Sequence, residues 1–137
     1  MAFEFPQKVL FKHCDPAGII FFPRYFEMIN DCAEAFFASE INWPFEELLK
    51  TGGLPTAEIS TRFKAPSRHG ETLILKLRIE RLGRSSIDIE TTATCGEEVR
   101  LISRSTLVRV GSNGRPEGWP DDVRSKLQEI MKGHHVN

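Results

Sequence analysis

From residue 57 onward, apolar residues recur at every second position. Ala57, Ile59, Thr61 and Phe63 alternate with Glu58, Ser60, Arg62 and Lys64, and Leu73, Leu75, Leu77 and Ile79 alternate with Lys76, Arg78 and Glu80. Successive strand side chains point to opposite faces, so this spacing predicts strands with one buried and one solvated face. After a Leu-Gly-Arg-Ser turn at 82–85, Ile87, Ile89, Thr91 and Ala93 repeat the pattern, and Gly96 precedes another strand from about Val99 to Val110. Four strands in succession, joined by short turns, predict an antiparallel sheet. Its apolar face must be covered by another element.

One upstream segment has the right shape for that cover. Pro23 suits the first position of a helix. On a helical wheel Phe26, Ile29, Ala33, Phe36 and Phe37 share one face, while Arg24, Glu27, Asp31 and Glu34 gather on another. The helix should stop before Trp43-Pro44, because a residue preceding proline resists the helical region. "PFEELLKTGG" reads as a short helical turn closed by Gly52-Gly53. Residues 3–11, "FEFPQKVLF", predict a first strand, placed at a sheet edge by Pro6. "WPDDVRSKLQEIMKG" predicts a final helix from Pro120 to Lys132-Gly133, with "GHHVN" as a frayed tail. The order strand, long helix, four strands, terminal helix predicts an α+β fold in one domain over residues 1–137, with the terminal helix and tail at about 120–137.

Bulk properties narrow the function classes. A chain of 137 residues can close a core without disulfides or metals. A net charge of −1 creates no field favouring nucleic acid or an anionic membrane surface. No apolar run is long enough to span a bilayer, and "MAFEFPQKVL" lacks the pattern of a signal peptide, so a cytoplasmic location is expected. Cys14, Cys32 and Cys95 are scattered, without a CxxC pair, and read as free thiols. Cys32 and Cys95 are expected to be small buried hydrophobes. No metal site is expected, since His13, Cys14 and Asp15 alternate in direction along a strand. His13 is expected to pack at the strand end.

The functional signal is "HCDPAGIIFFPRYFEMIND", residues 13–31. A helix start normally has Ser, Thr, Asp or Asn as a cap for its orphan N–H groups. Here the residues before Pro23 are "IIFF", which carry no side-chain acceptor. Donors near Phe22 and Arg24 must therefore find water, other backbone or a ligand oxygen. A helix N-terminus also favours a developing oxyanion. Asp15 lies beyond a tight turn that can fold it back towards this terminus. Such a carboxylate could attack a carbonyl carbon or activate water, and a thioester, with its good leaving group, would need no Ser-His pair. Asp-Pro-x-Gly is equally an ordinary turn.

"CDPAGIIFFPRY" with its following amphipathic helix resembles the signature of the 4-hydroxybenzoyl-CoA thioesterase group of hotdog-fold proteins, and "FKAPSRHGETL" is similar to that group's proline turn and Gly-acid step between strands. The resemblance covers most of residues 5–110. It implies an antiparallel sheet wrapped around the long helix and acyl-CoA thioester hydrolysis without a further cofactor. By position, the catalytic carboxylate falls on Asp15 and the carbonyl-polarising amide on Phe22, flanked by Gly18 and Pro23 of the matched block. Arg84 and Arg115 fall near positions that contact the coenzyme A phosphates. Family members form dimers, often paired into tetramers, with active sites at the dimer interface.

Asn30 departs from the group, whose hydroxybenzoyl enzyme has an acid there that recognises the ring hydroxyl. Two readings stay open for it, a core asparagine satisfied by backbone or a contact to a polar acyl group. The expected substrate is an aryl- or medium-chain acyl-CoA. Two other readings keep the fold: a non-catalytic acyl-CoA binder in which Asp15 only stabilises the turn, and a hydratase or dehydratase using His69. Arg62, Lys64 and Arg68 read as a solvated strand face or a secondary candidate for phosphate contact, and not as a nucleic-acid surface.

Overall fold

The computed structural model describes residues 2–136, and of 134–136 the backbone alone. Strand β1 (Phe3–Lys8) leads through a single 3-10 turn at Phe11–His13 to helix α1 (Pro23–Ser39). A short helix α2 (Phe45–Leu48) and a two-residue strand β2 (Gly52–Gly53) follow. Then come β3 (Thr56–Phe63), β4 (Thr72–Leu82), β5 (Ser86–Cys95), β6 (Glu98–Val108), the short β7 (Val110–Gly111) and α3 (Asp121–Val136).

The main sheet has the order β1-β4-β5-β6-β3, with every pairing antiparallel. β1 occupies an edge, as Pro6 requires. β3 and β4 are not neighbours, although they follow one another in sequence. The proline-containing stretch between them crosses the sheet, and β3 pairs with β6 at the opposite edge. That position corrects the expectation for Ala57, Ile59 and Phe63, all three of which are exposed at this edge.

Helix α1 lies across the apolar face of β4, β5 and β6. Its expected apolar residues Ile29, Ala33, Phe36 and Phe37 are buried with Leu75, Leu77, Ile89 and Leu101. The helix starts at Pro23 and ends where Asn42, at φ +56°, turns the chain so that the Trp43 N–H reaches the Phe37 carbonyl at 2.9 Å. Asparagine tolerates that left-handed conformation better than most residues. Phe36 sits edge-on to both Phe3 and Phe37, and Phe37 stacks on Trp119 at 6.4 Å between ring centroids. Burying each such ring is worth about 1.5–3 kcal/mol, so α1 is fixed on the sheet mainly by its aromatics. This sheet wrapped on one long helix is the hotdog arrangement.

Helix α3 packs through Val123 and Leu127 beside the C-terminal end of α1, where Lys126 Nζ donates to the Ile41 carbonyl at 3.0 Å. Its backbone continues past the expected end at Gly133 to Val136; Asn137 and the side chains of His134 and His135 lie outside the described residues. Cys95 is half-buried, not a core residue, because it closes β5 next to the turn into β6. No described helix is long and apolar enough to cross a membrane.

Candidate active site

The Asp-Pro-Ala-Gly block forms the tip of a small antiparallel hairpin. The Asp15 N–H donates to the Ile19 carbonyl at 2.9 Å, Cys14 bridges Ile20, and the Phe21 N–H donates to the His13 carbonyl at 2.9 Å. Gly18 takes φ +79°, a left-handed value that a Cβ would strain, and its N–H closes the turn onto the Asp15 carbonyl at 2.9 Å. Asp15 Oδ1 accepts the Ala17 N–H at 2.9 Å, the local bond of an Asx turn. Its Oδ2 has no donor among the described residues. Asp15 is half-buried, and Pro16 and Ala17 beside it are exposed. The turn-forming role is therefore real, and it engages one carboxylate oxygen of two.

The hairpin feeds directly into the start of α1. Phe22 is the N-cap residue, at φ −53° and ψ −36°, with no side-chain cap. Pro23 has no N–H, the Arg24 N–H bonds the Phe21 carbonyl at 2.8 Å, and the Tyr25 N–H bonds the Phe22 carbonyl at 3.1 Å. Two of the donors are thus absorbed by tight local turns. The Phe22 N–H has no acceptor among the described residues, which leaves it as a donor at the positive end of the helix. A crevice of about 310 Å³ opens beside it, lined in part by Ile20, Phe22, Tyr25 and Phe63.

Both pieces dock on the loop at 64–71. The Ile20 N–H donates to the Ser67 carbonyl at 2.9 Å, the His69 N–H to the Gly18 carbonyl at 3.1 Å, and Ile19 bridges Arg68. From α1, the Tyr25 hydroxyl bonds Ser67 Oγ at 2.8 Å; both residues are buried, and burial pushes the Tyr25 hydroxyl pKa up. The loop itself is gripped by Arg100 of β6. Arg100 Nη1 and Nη2 donate to the two oxygens of Glu71 at 2.8 and 3.1 Å, and Nη1 also reaches the Pro66 carbonyl at 3.0 Å. Its Nε lies 2.6 Å from Glu98 Oε1, an ion-pair contact whose angle falls outside hydrogen-bonding range. The Arg100 fork, with the Arg68 N–H, holds the Glu71 carboxyl down to about 2. Sequence reasoning passed over Tyr25, Ser67, Glu71 and Arg100, since no periodicity marks an ion pair between a loop and a distant strand.

The two histidines near Asp15 differ in setting. His13 is buried and its Nδ1 accepts the Leu10 N–H at 2.9 Å, but it packs in the 3-10 turn Phe11–His13 and not at a strand end, because β1 stops at Lys8, short of the expected residue 11. Burial, then the nearby Lys12, lowers its pKa. His69 is exposed, stands against Phe11 at 6.1 Å, and is nearer the Gly18 turn than its place in a separate loop suggested.

Asn30 is exposed and not part of the core, which removes the reading of an asparagine satisfied by backbone. It lines a cavity of about 290 Å³ between α1 and the β3–β6 edge, together with Phe26, Ile29, Ala33, Ile59 and Ser105. The Phe63 ring contacts Phe22, Tyr25 and Phe26 at 6.0, 5.8 and 6.4 Å, so it stands between this cavity and the crevice at the helix start.

Arg84 and Arg115 lie elsewhere. The Arg84 turn joins β4 to β5, and its carbonyl accepts the Trp119 N–H at 3.2 Å. The Arg109 N–H bonds the Ser85 carbonyl at 2.7 Å and the Gly111 N–H bonds the Arg115 carbonyl at 2.9 Å, so the two arginines share one end of the sheet. The Asp15 hairpin docks at the other end, beyond the start of β4. An eleven-residue strand separates them by roughly 34 Å at ~3.4 Å per residue. One chain does not bring these arginines to Asp15. Among the described residues, no group of three or more His, Cys, Asp or Glu is placed to hold a metal ion.

The sequence pattern of the thioesterase-like superfamily matches residues 9–127, a span containing all these elements. A 1,4-dihydroxy-2-naphthoyl-CoA hydrolase of Nostoc punctiforme is 25% identical over 131 residues, covering 93% of this chain and 88% of that one. A 4-hydroxybenzoyl-CoA thioesterase of Pseudomonas sp. is 24% identical over 110 residues, 76% of this chain and 78% of that protein. Among solved structures, a Staphylococcus aureus protein in complex with CoA superposes with a TM-score of 0.89 at 16% identity, over 96% of this chain and 85% of its own.

Proposed function

Because the chain belongs to the thioesterase-like superfamily, we propose that it hydrolyses an acyl-CoA thioester to the free acid and coenzyme A. The Phe22 N–H takes the thioester carbonyl oxygen and stabilises its negative charge as the carbon becomes tetrahedral. Asp15 supplies the carboxylate, either attacking that carbon or drawing a proton from the water that does. Where water attacks, Asp15 takes its proton and passes it to the expelled CoA thiolate, leaving the free acid. Where Asp15 attacks, expulsion of the thiolate leaves an acyl-aspartyl anhydride, and one water cleaves it to the acid and the Asp15 carboxylate while its proton goes to the thiolate. One observation carries this reading. At a capless helix start where the Arg24 and Tyr25 N–H groups are already bonded, the Phe22 N–H is left open beside the Asp15 hairpin.

The acyl group, aryl or of medium chain length, enters the cavity lined by Phe26, Ile29 and Asn30. Gly18 and Pro23 shape the two turns that frame the reacting carbonyl. The active form is a homo-oligomer, a dimer with shared sites and in turn a tetramer. The unpaired edge of β3, with Ile59 and Phe63 exposed, supports this. A second copy also answers the distance problem, since its Arg84 and Arg115 can meet the CoA phosphates that the same chain's arginines cannot reach. No cofactor beyond the CoA of the substrate is required, and the free cysteines fit a cytoplasmic location.

The Ala17 N–H bond to Asp15 Oδ1 favours one second reading, a non-catalytic acyl-CoA binder in which Asp15 serves the turn alone. Thiol release from a panel of aryl- and fatty-acyl-CoAs separates the two. Hydrolysis of any member sustains the enzyme. Binding across the panel with no thiol released from any member sustains the binder.

A further inference from the structure

We propose that the Glu71–Arg100 pair is the positioning element of the reaction, holding the Asp15 turn and the start of α1 in register through the loop between them. This rests on the reading of Asp15 and Phe22 just given. The two groups that must close on one thioester belong to different local structures, a hairpin tip and a helix end. Among the described residues, no side chain of one bonds a side chain of the other. Both are instead bonded to the loop at 64–71, the hairpin through the Ser67 carbonyl and the His69 N–H, the helix through Ser67 Oγ. Ser67 thus carries one bond to each, on the same buried residue.

A loop is a poor template unless something rigid holds it. Arg100 provides that from the start of β6. It is 7% exposed, sits on a strand paired on both sides, and grips the loop at both ends, at the Pro66 carbonyl and at the Glu71 carboxylate. The Arg100 carbonyl adds a third hold by accepting the Lys64 N–H at 2.8 Å. Glu71 Oε1 in turn accepts the Arg68 N–H at 2.6 Å, so the pair also fixes the residue that bridges Ile19. A two-pronged guanidinium–carboxylate contact specifies orientation as well as distance, which an ammonium does not. Misplacement of a reacting group by about 1 Å can cost on the order of a hundredfold in rate, so this clamp acts on catalysis without touching the substrate.

The test is a double-mutant cycle in the full-length protein, read as kcat and KM on an acyl-CoA that the wild type hydrolyses. Glu71→Gln keeps the shape of the side chain and removes the charge. It should lower kcat about tenfold to a hundredfold with KM nearly unchanged. Arg100→Lys, which keeps the charge and loses the fork, should lower kcat to a similar extent, again with KM nearly unchanged. Added to Asp15→Asn, Glu71→Gln should cost nothing further, because the group it positions is already gone. Tyr25→Phe, which leaves the ion pair intact, guards against a folding artefact and should also reduce kcat at constant KM. Additive losses in the cycle, or wild-type kcat in Tyr25→Phe and Glu71→Gln alike, would overturn the positioning role. A different result, full turnover by Asp15→Asn alone, would instead overturn the catalytic reading on which it rests.

Discussion

The Arg24 N–H is bonded to the Phe21 carbonyl at 2.8 Å, and that bond leaves the Phe22 N–H as the donor at the head of α1. On the proposed mechanism the backbone at 22, and not its ring, is the functional group. Phe22→Leu keeps the N–H and should leave kcat within a few-fold of wild type. Phe22→Pro removes the N–H as well as the ring, at a native φ of −53° that suits proline, so its loss beyond that of Phe22→Leu reports the N–H. It should lower kcat by about a hundredfold to a thousandfold, the usual loss when one oxyanion donor is removed. Steady-state kinetics on the two variants checks this, and equal losses in both would assign the effect to the ring.

Much of this arrangement was readable before the structure. The period-two run marked β3 to β6, the aromatic wheel face marked α1, and the missing cap at Phe22 pointed to the helix start. Other features depend on partners far apart in the chain. The β3–β6 pairing arises because the 64–71 loop carries the chain across the sheet, and no local pattern distinguishes an exposed edge strand from a half-buried one. Asn30 lies within the apolar arc of the wheel, yet it opens into a cavity because β3 stands away from that part of α1. Arg100 looked like one more polar residue of an alternating strand, while its partner Glu71 is twenty-nine positions away.

Glu71 makes acid stability specific. Its carboxyl is held at about 2 in the folded protein, against an ordinary value of 4.5. As the pH falls, the unfolded chain takes up this proton first. The contribution is therefore complete above about 4.5 and is lost progressively down to pH 2. Urea midpoints measured from about pH 6 to about pH 2.5 should fall more steeply for wild type than for Glu71→Gln, with the two curves converging at the acid end. Parallel curves would contradict the pairing.

His13 acts in a higher window. Its pKa is lowered from 6.5 by burial, so the folded state prefers the neutral ring that accepts the Leu10 N–H. The stability it confers is full above 6.5 and declines as the pH drops below that value. His13→Gln can still accept a hydrogen bond and does not titrate. Thermal midpoints between about pH 7.5 and about pH 5.5 should change less in this variant than in wild type.

Cys32 lies on the sheet-facing side of α1 with no exposed surface, and burial pushes its thiol pKa up to about 12. At about pH 8 a thiol reagent should modify native protein at Cys14 and Cys95 and leave Cys32 untouched until urea is added. Peptide mapping by mass spectrometry after brief labelling reads this directly.

The most direct measurement of the central claim compares wild type and Asp15→Asn for both turnover and binding of one acyl-CoA. The amide introduced by this substitution can still accept the Ala17 N–H and so preserve the turn, while it can neither attack a thioester nor take a proton from water. The account predicts unchanged affinity with kcat reduced on the order of a hundredfold or more. An Asp15→Asn protein that binds and hydrolyses like wild type would contradict it, and would return Asp15 to the role of a turn residue.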